Sequence, residues 1–128
     1  MIEGSCHCGA MKWRFEGTPP FAEACSCTLC RRYGVLWAYG FEGENISVTG
    51  PNLIYVPKTN EVHFCAVCGC VAYWWTTELD PKGRRRVAVN LRLAEPETVA
   101  HIPIDRVDGL HQFEHLPRDG RRVADYWF

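Results

Sequence analysis

Hydrophobic and polar positions alternate along this chain in short runs with a period of two. Met11, Trp13 and Phe15 alternate with Lys12, Arg14 and Glu16, and Val87, Val89 and Leu91 repeat the spacing. A period of two sends successive side chains to opposite faces of an extended chain, the mark of a half-buried strand. Three further segments, VLWAYGF at 35–41, NLIYV at 52–56 and VAYWW at 71–75, are rich in β-branched and aromatic residues, which suit a pleated surface. Turn-forming clusters separate the segments: EGTPP at 16–20, EGEN at 42–45, TGPN at 49–52, PKTN at 57–60 and DPKG at 80–83. No window carries a long helical period, and only Cys27 through Arg32 reads as a short helical turn. The stretch HIPIDRVDGLHQFEHLP at 101–117 reads as irregular chain wrapping a sheet. The expectation is a mainly β fold, one domain over residues 1–128, without linker or repeat.

Charge narrows the possible partners. The 128 residues hold 14 basic and 15 acidic side chains, a formal net charge of −1. That balance offers no electrostatic footprint for nucleic acid or an anionic membrane. The one basic run, KGRRR at 82–86, follows a turn signal and reads as a solvated hairpin tip. No apolar run reaches the roughly 18–20 residues that span a bilayer. The start, MIEGSCHCG, lacks a basic segment followed by an apolar one, so no secretory signal and a cytoplasmic location are expected.

Cysteine usage changes the picture most. Eight cysteines fall into three clusters: Cys6 with Cys8, Cys25 with Cys27 and Cys30, and Cys65 with Cys68 and Cys70. Disulfides between cysteines two or three positions apart are strained, and a reducing compartment favours thiolates on metal. Cys65-Ala-Val-Cys68-Gly69 is a zinc-knuckle sequence, and Cys6-His7-Cys8-Gly9 supplies a second close pair. Together Cys6, Cys8, Cys65 and Cys68 make the four sulfurs of a closed structural zinc site. Cys25, Cys27 and Cys30 then remain as three ligands with a vacant position, the arrangement of a catalytic zinc. Two zinc ions are therefore expected. An open, thiolate-rich zinc suits a soft ligand such as a small-molecule thiol, held as a thiolate nucleophile.

The succession CHCGAMKWRF, CSCTLCRRYG and FCAVCG resembles the glutathione-dependent formaldehyde-activating enzyme family, which also includes centromere protein V. The family pattern is C-x-C-G, then C-x-C-x-x-C-R-R-x-G, then F-C-x-x-C-G. VAVNLRLAE at 87–95 and DGLHQF at 108–113 match its usual tail, so the resemblance runs along essentially the whole chain. It implies a β-tent fold of antiparallel sheets built around zinc sites. By position, Cys6, Cys8, Cys65 and Cys68 would hold the structural ion and Cys25, Cys27 and Cys30 the catalytic one. The family activity is the reversible joining of glutathione and formaldehyde to S-hydroxymethylglutathione, a carbon–sulfur lyase reaction in reverse.

One position departs from the pattern. Cys70 stands where the family usually shows serine or threonine. It could be a spare thiol near the first ion, the fourth ligand closing the second site, or a redox or substrate contact. His7 is expected at the surface. His63, before the knuckle, reads either as a general base or as an ordinary strand residue. Arg31 and Arg32 follow the triad and could pair with substrate carboxylates. Tyr33 and Gly34 resemble the family's site-lining loop, and Trp37 and Tyr39 lie just beyond. Three functions follow: a zinc-dependent carbon–sulfur lyase acting on thiol–aldehyde adducts with glutathione as a candidate thiol, a binding module with two structural zincs, or a thiol redox sensor using Cys25, Cys30 and Cys70.

Overall fold

The computed structural model describes residues 1–127. The first half of the chain forms β1 (Ile2–Ser5), β2 (Lys12–Phe15), β3 (Ala22–Cys25), α1 (Cys30–Tyr33), β4 (Trp37–Phe41) and β5 (Ile46–Thr49). The second half adds β6 (Leu53–Tyr55), β7 (Glu61–Phe64), β8 (Val71–Trp75) and β9 (Arg86–Asn90). It ends with α2 (Pro96–Val99), β10 (Ile104–Asp108), β11 (Glu114–Leu116) and α3 (Val123–Trp127), after a 3-10 turn at Leu91–Leu93. No helix among the described residues is long and apolar enough to cross a membrane.

The strands make two sheets. A three-stranded sheet runs β1-β2-β5 and an eight-stranded one runs β11-β10-β3-β4-β9-β8-β7-β6. The alternation at residues 11–16 holds: in β2, Trp13 and Phe15 are buried while Lys12 and Arg14 face solvent. These indole and phenyl rings pack with Ile46 of β5 against Tyr73, Val87 and Val89 of the large sheet. The 3-10 turn, α2 and α3 seal one side through Leu91, Val99 and Val123. The result is the mainly β, tent-like arrangement, with the main core between the two sheets.

Two expectations change. The stretch at 101–117 is not irregular chain: it holds β10 and β11, both paired into the large sheet. The large sheet is also not wholly antiparallel, because β10 runs parallel to β3, from Ile104 opposite Ala22 to Val107 opposite Cys25. The physical reason lies in β10 itself. Its buried residues are Ile104 and Val107, three apart, so the chain shows no clean period of two. The basic run behaves as expected, with Asp80 accepting from the Lys82 and Arg84 amides at a tight turn.

The large sheet's second face positions the site. β9 is buried from Val87 to Asn90 because it is covered on both sides, Val87 and Val89 by the main core and Ala88 by a second cluster. That smaller cluster joins Ala88 to Val35, Trp37 and Val62, with Tyr39 and Trp74 packed on it. It is an aromatic floor, and the Cys25–Cys30 segment sits at one end of it.

Candidate metal centres

The first cluster brings together Cys6, Cys8, Cys65 and Cys68, with their sulfurs mutually within 4.8 Å. Two similar turns build it. Gly9 N–H donates to the Cys6 carbonyl at 3.0 Å and Gly69 N–H to the Cys65 carbonyl at 2.9 Å. Both glycines adopt left-handed φ, +84° and +80°, a conformation their missing Cβ permits. Backbone amides then point at sulfur: Met11 N–H lies 3.2 Å from Cys6 Sγ and Val67 N–H 3.4 Å from Cys65 Sγ.

The sulfur spacing fits an ion. Cys6 Sγ lies 3.7 Å from Cys8 Sγ, which lies 3.5 Å from Cys65 Sγ. A tetrahedron with zinc–sulfur arms of about 2.3 Å has edges of about 3.8 Å. Without a cation, thiols of this set are pushed in opposite directions. Amides of Cys70 and Cys8 hold the Cys68 thiol down to about 5. The Ala10 amide acts to lower Cys8, but the Cys65 sulfur, desolvation and the Cys6 and Cys68 sulfurs outweigh it, and Cys8 is pushed up to about 12. A divalent ion there would remove that conflict by stabilising the thiolates together.

The second cluster joins Cys25, Cys27 and Cys30, again within 4.8 Å. Cys25 ends β3, Cys27 lies in the following turn and Cys30 opens α1. Cys27 N–H donates to Cys25 Sγ at 3.4 Å, Cys30 N–H to Cys27 Sγ at 3.2 Å, and Trp37 Nε1–H to Cys30 Sγ at 3.3 Å. Burial works to raise the Cys27 thiol, yet the Cys30 and Leu29 amides and the adjoining thiols leave it lowered. Burial holds Cys30 well above its usual range, the Trp37 donor only partly opposing it. Three soft sulfurs with donors already aimed at them suit zinc.

Cys70 belongs with the first cluster in space. Its amide faces Cys68 Sγ, and its own sulfur accepts from the His7 amide. Among the described residues the three-sulfur cluster therefore has no fourth sulfur. A cavity of about 490 Å³ opens there instead, a volume within the range of small-molecule sites. Trp37, Tyr39, Trp74 and Val62 form its floor, and Phe113 and His115 stand on another wall. Trp74 packs edge-on against both Trp37 and Tyr39, at centroid distances of 6.4 Å and 6.0 Å.

The β10–β11 loop locks onto the three-sulfur cluster. Leu110 N–H donates to Ser26 Oγ at 3.3 Å, and Ser26 N–H to the Val107 carbonyl at 3.1 Å. Gly109 sits so close that a Cβ there would lie 2.5 Å from Cys27 Cβ and 2.7 Å from Cys25 Sγ. Only glycine fits that approach.

The remaining candidates separate clearly. Trp37 lines the cavity, whereas Arg31, Arg32, Tyr33 and Gly34 do not. Arg31 and Arg32 are exposed on α1, where Arg32 Nη1 donates to the Thr28 carbonyl at 2.9 Å. Gly34 caps α1 in left-handed conformation, its N–H donating to the Cys30 carbonyl. His7 is exposed. His63 is buried on the core side, stacked on Tyr73 with centroids 4.4 Å apart, with Nδ1 2.7 Å from Asn52 Oδ1. Sequence reasoning missed Glu23, Trp74, Gly109, Phe113 and His115. Glu23 shares β3 with Cys25, two residues away, but belongs to no motif; the other four reach the site through pairing between distant strands, for which no local signal exists, and only the match of DGLHQF to the family tail marks the segment around Gly109.

Comparison with known proteins bears on this geometry. The sequence profile described as "Glutathione-dependent formaldehyde-activating enzyme" matches residues 1–100. A Halomonas elongata protein named "Putative glutathione-dependent formaldehyde-activating enzyme" is 26% identical over 144 aligned positions, spanning 98% of this chain and 88% of its own length. A Rhodobacter sphaeroides protein of known crystal structure superimposes with a TM-score of 0.59 at 24% identity. That superposition covers 80% of this chain and 98% of the other, and it speaks to the fold alone.

Proposed function

This chain belongs to the glutathione-dependent formaldehyde-activating enzyme family, and from that premise we propose that it is a zinc-dependent carbon–sulfur lyase acting on thiol–aldehyde adducts. In the joining direction a thiol sulfur forms a bond to the formaldehyde carbon, the carbonyl π pair moves to oxygen, and the thiol proton ends on that oxygen. In the lyase direction the same carbon–sulfur bond breaks. One observation carries the reading: a three-sulfur cluster opens on a cavity while a separate set of four sulfurs is complete.

Cys25, Cys27 and Cys30 would hold one zinc ion, and Cys6, Cys8, Cys65 and Cys68 a second, structural one. A zinc ion held by Cys25, Cys27 and Cys30 would supply the positive charge that keeps a substrate sulfur ionised at neutral pH. The chain's own groups prepare the place. Amides of Cys27 and Cys30 and the Trp37 indole spread the negative charge of the ligand sulfurs. The aromatic floor of Trp37, Tyr39 and Trp74 excludes water beneath the reacting atoms. A thiol as small-molecule partner, glutathione among the candidates, and a cytoplasmic setting that keeps thiols reduced belong to the same proposal.

Replacing Cys27 with serine tests it. The zinc-loaded variant should lose one ion and all adduct formation above the spontaneous condensation of thiol and aldehyde, while keeping its fold and the other ion. Activity retained in that variant removes the three-sulfur cluster from the chemistry. An unfolded variant marks the cluster as structural and favours the two-zinc binding module.

A further inference from the structure

We propose that Glu23 is the specificity determinant of this cavity, selecting thiols that carry an ammonium group two carbons from sulfur over thiols that end in a carboxylate. The inference rests on the thiol-binding reading above and narrows its candidates: glutathione, whose nitrogen two carbons from sulfur is acylated and whose ends carry carboxylates, becomes the less favoured thiol and a free aminothiol the more favoured one.

Glu23 and Cys25 lie two residues apart on β3 and both line the cavity. Alternate residues of a strand share a face and stand about 6.6 Å apart along it. The carboxylate thus lies within reach of a short molecule whose sulfur sits at the three-sulfur cluster. β3 pairs with β4 at Glu23 opposite Trp37, so Glu23 stands at the edge of the aromatic floor. The Tyr39 hydroxyl donates to Glu23 Oε2, which fixes the carboxylate and leaves Oε1 for another donor. Burial, then the Glu23 charge beside it, raises the Tyr39 phenol far above its usual range, so it stays a donor.

Among the described residues no basic side chain forms an ion pair with Glu23. Arg86 instead holds its guanidinium over the Tyr39 ring, 4.7 Å from the centroid. A carboxylate beside aromatic rings and short of a cation is a receptor for one, and indole faces add attraction for an ammonium group. The local charge points the same way. Three thiolates around a divalent ion leave one net negative charge, since +2 and −3 give −1, and Glu23 adds another. Among the described residues Lys58 is the one lysine or arginine along the cavity wall, and it is exposed. An acidic thiol would face two like charges across this floor, whereas an aminothiol would face two opposite ones.

The test uses protein carrying cobalt(II) in place of zinc, since a thiolate joining the open site changes the sulfur-to-cobalt charge-transfer band. Three probes of similar size are titrated: cysteamine, 2-mercaptoethanol and 3-mercaptopropionate. Cysteamine should bind at least roughly tenfold more tightly than 3-mercaptopropionate, as one charge-assisted hydrogen bond in a half-buried site allows. In Glu23→Gln, which keeps the side-chain shape and the acceptor for Tyr39, that ratio should fall to within about twofold. Equal affinities in the unaltered protein, a preference for 3-mercaptopropionate, or a ratio that survives Glu23→Gln would overturn the assignment. If even neutral 2-mercaptoethanol leaves the band unchanged, the thiol-binding reading fails first, and the two failures are told apart.

Discussion

Replacing Gly109 with alanine adds one methyl group and should damage one metal centre selectively. The backbone is not at issue, since Gly109 is absent from the glycines with left-handed φ. The difficulty is space. The new Cβ would lie 2.5 Å from both Cβ and N of Cys27 and 2.7 Å from Cys25 Sγ. Carbon contacts are comfortable at about 3.5–4.0 Å, so something must move by about 1 Å. Of the three atoms only Cys25 Sγ ends a side chain, and a bound ion would hold that sulfur in place. Two are ligand-bearing side-chain atoms and one is backbone. Overpacking of this kind costs about 1–3 kcal/mol. If the ligand turn gives way, that strain becomes roughly a 5- to 150-fold loss of metal affinity at the three-sulfur site. The loop cannot simply lift, because Leu110 N–H and the Val107 carbonyl tie it to Ser26. Zinc competition against a graded chelator resolves the two sites and reads the loss directly. Gly109→Ala should release one ion early and hold the other with unchanged affinity. Unaltered affinities at both sites would refute the claim that this loop is clamped onto the cluster.

Other consequences are as direct. Cys6 is 2% exposed and Cys65 1%, so Cys6→Ser should both remove a ligand and leave a polar group in the core; loss of the cooperative thermal transition is expected, and a variant melting within a few degrees of the parent would contradict a structural role. Cys70→Ala should keep two ions per chain by elemental analysis, since its sulfur lies beside the complete set; loss of the more weakly held ion would make it a ligand after all. Asp80 is held below its ordinary value of 3.8, first by the Arg84 amide, then by the Arg84 side chain and the Lys82 amide. A carboxyl with a depressed folded-state pKa stabilises at pH above the ordinary value and loses that contribution as pH falls through the lower one. The Lys82 and Arg84 amide resonances should therefore titrate below 3.8, and Asp80→Asn should abolish the step; a midpoint at or above 3.8 would refute the turn geometry.

How legible this was depends on where each signal resides. The cysteine clusters are written in local spacing, and the sulfurs of each set do converge. The alternation of β2 and the β-branched and aromatic runs that hold β4 and β8 are equally plain. β3 was not: AEAC offers two alanines and no large apolar residue, and its burial is supplied by β4 and β10. β10 was hidden for a related reason, its buried positions falling three apart. The parallel pairing of β10 with β3 then carries Gly109 and the following turn to Cys25 and Cys27, across more than 80 residues of sequence that hold no trace of it. Glu23 escaped notice likewise. Its meaning comes from the Tyr39 hydroxyl 16 residues away, and a lone glutamate two positions before a cysteine has no motif. Arg31 and Arg32 illustrate the opposite case, since adjacency to the triad in sequence placed them on the outer surface of α1.

Coordination of the two ions is the most direct test. Zinc-edge X-ray absorption on protein loaded with two equivalents averages a set of four sulfurs with a set of three. The mean of four and three is three and a half sulfurs per zinc, with half a nitrogen or oxygen neighbour, and adding a thiol should raise the sulfur count toward four. Four sulfurs per zinc before any thiol is added, or a single bound ion, would contradict an open three-sulfur centre.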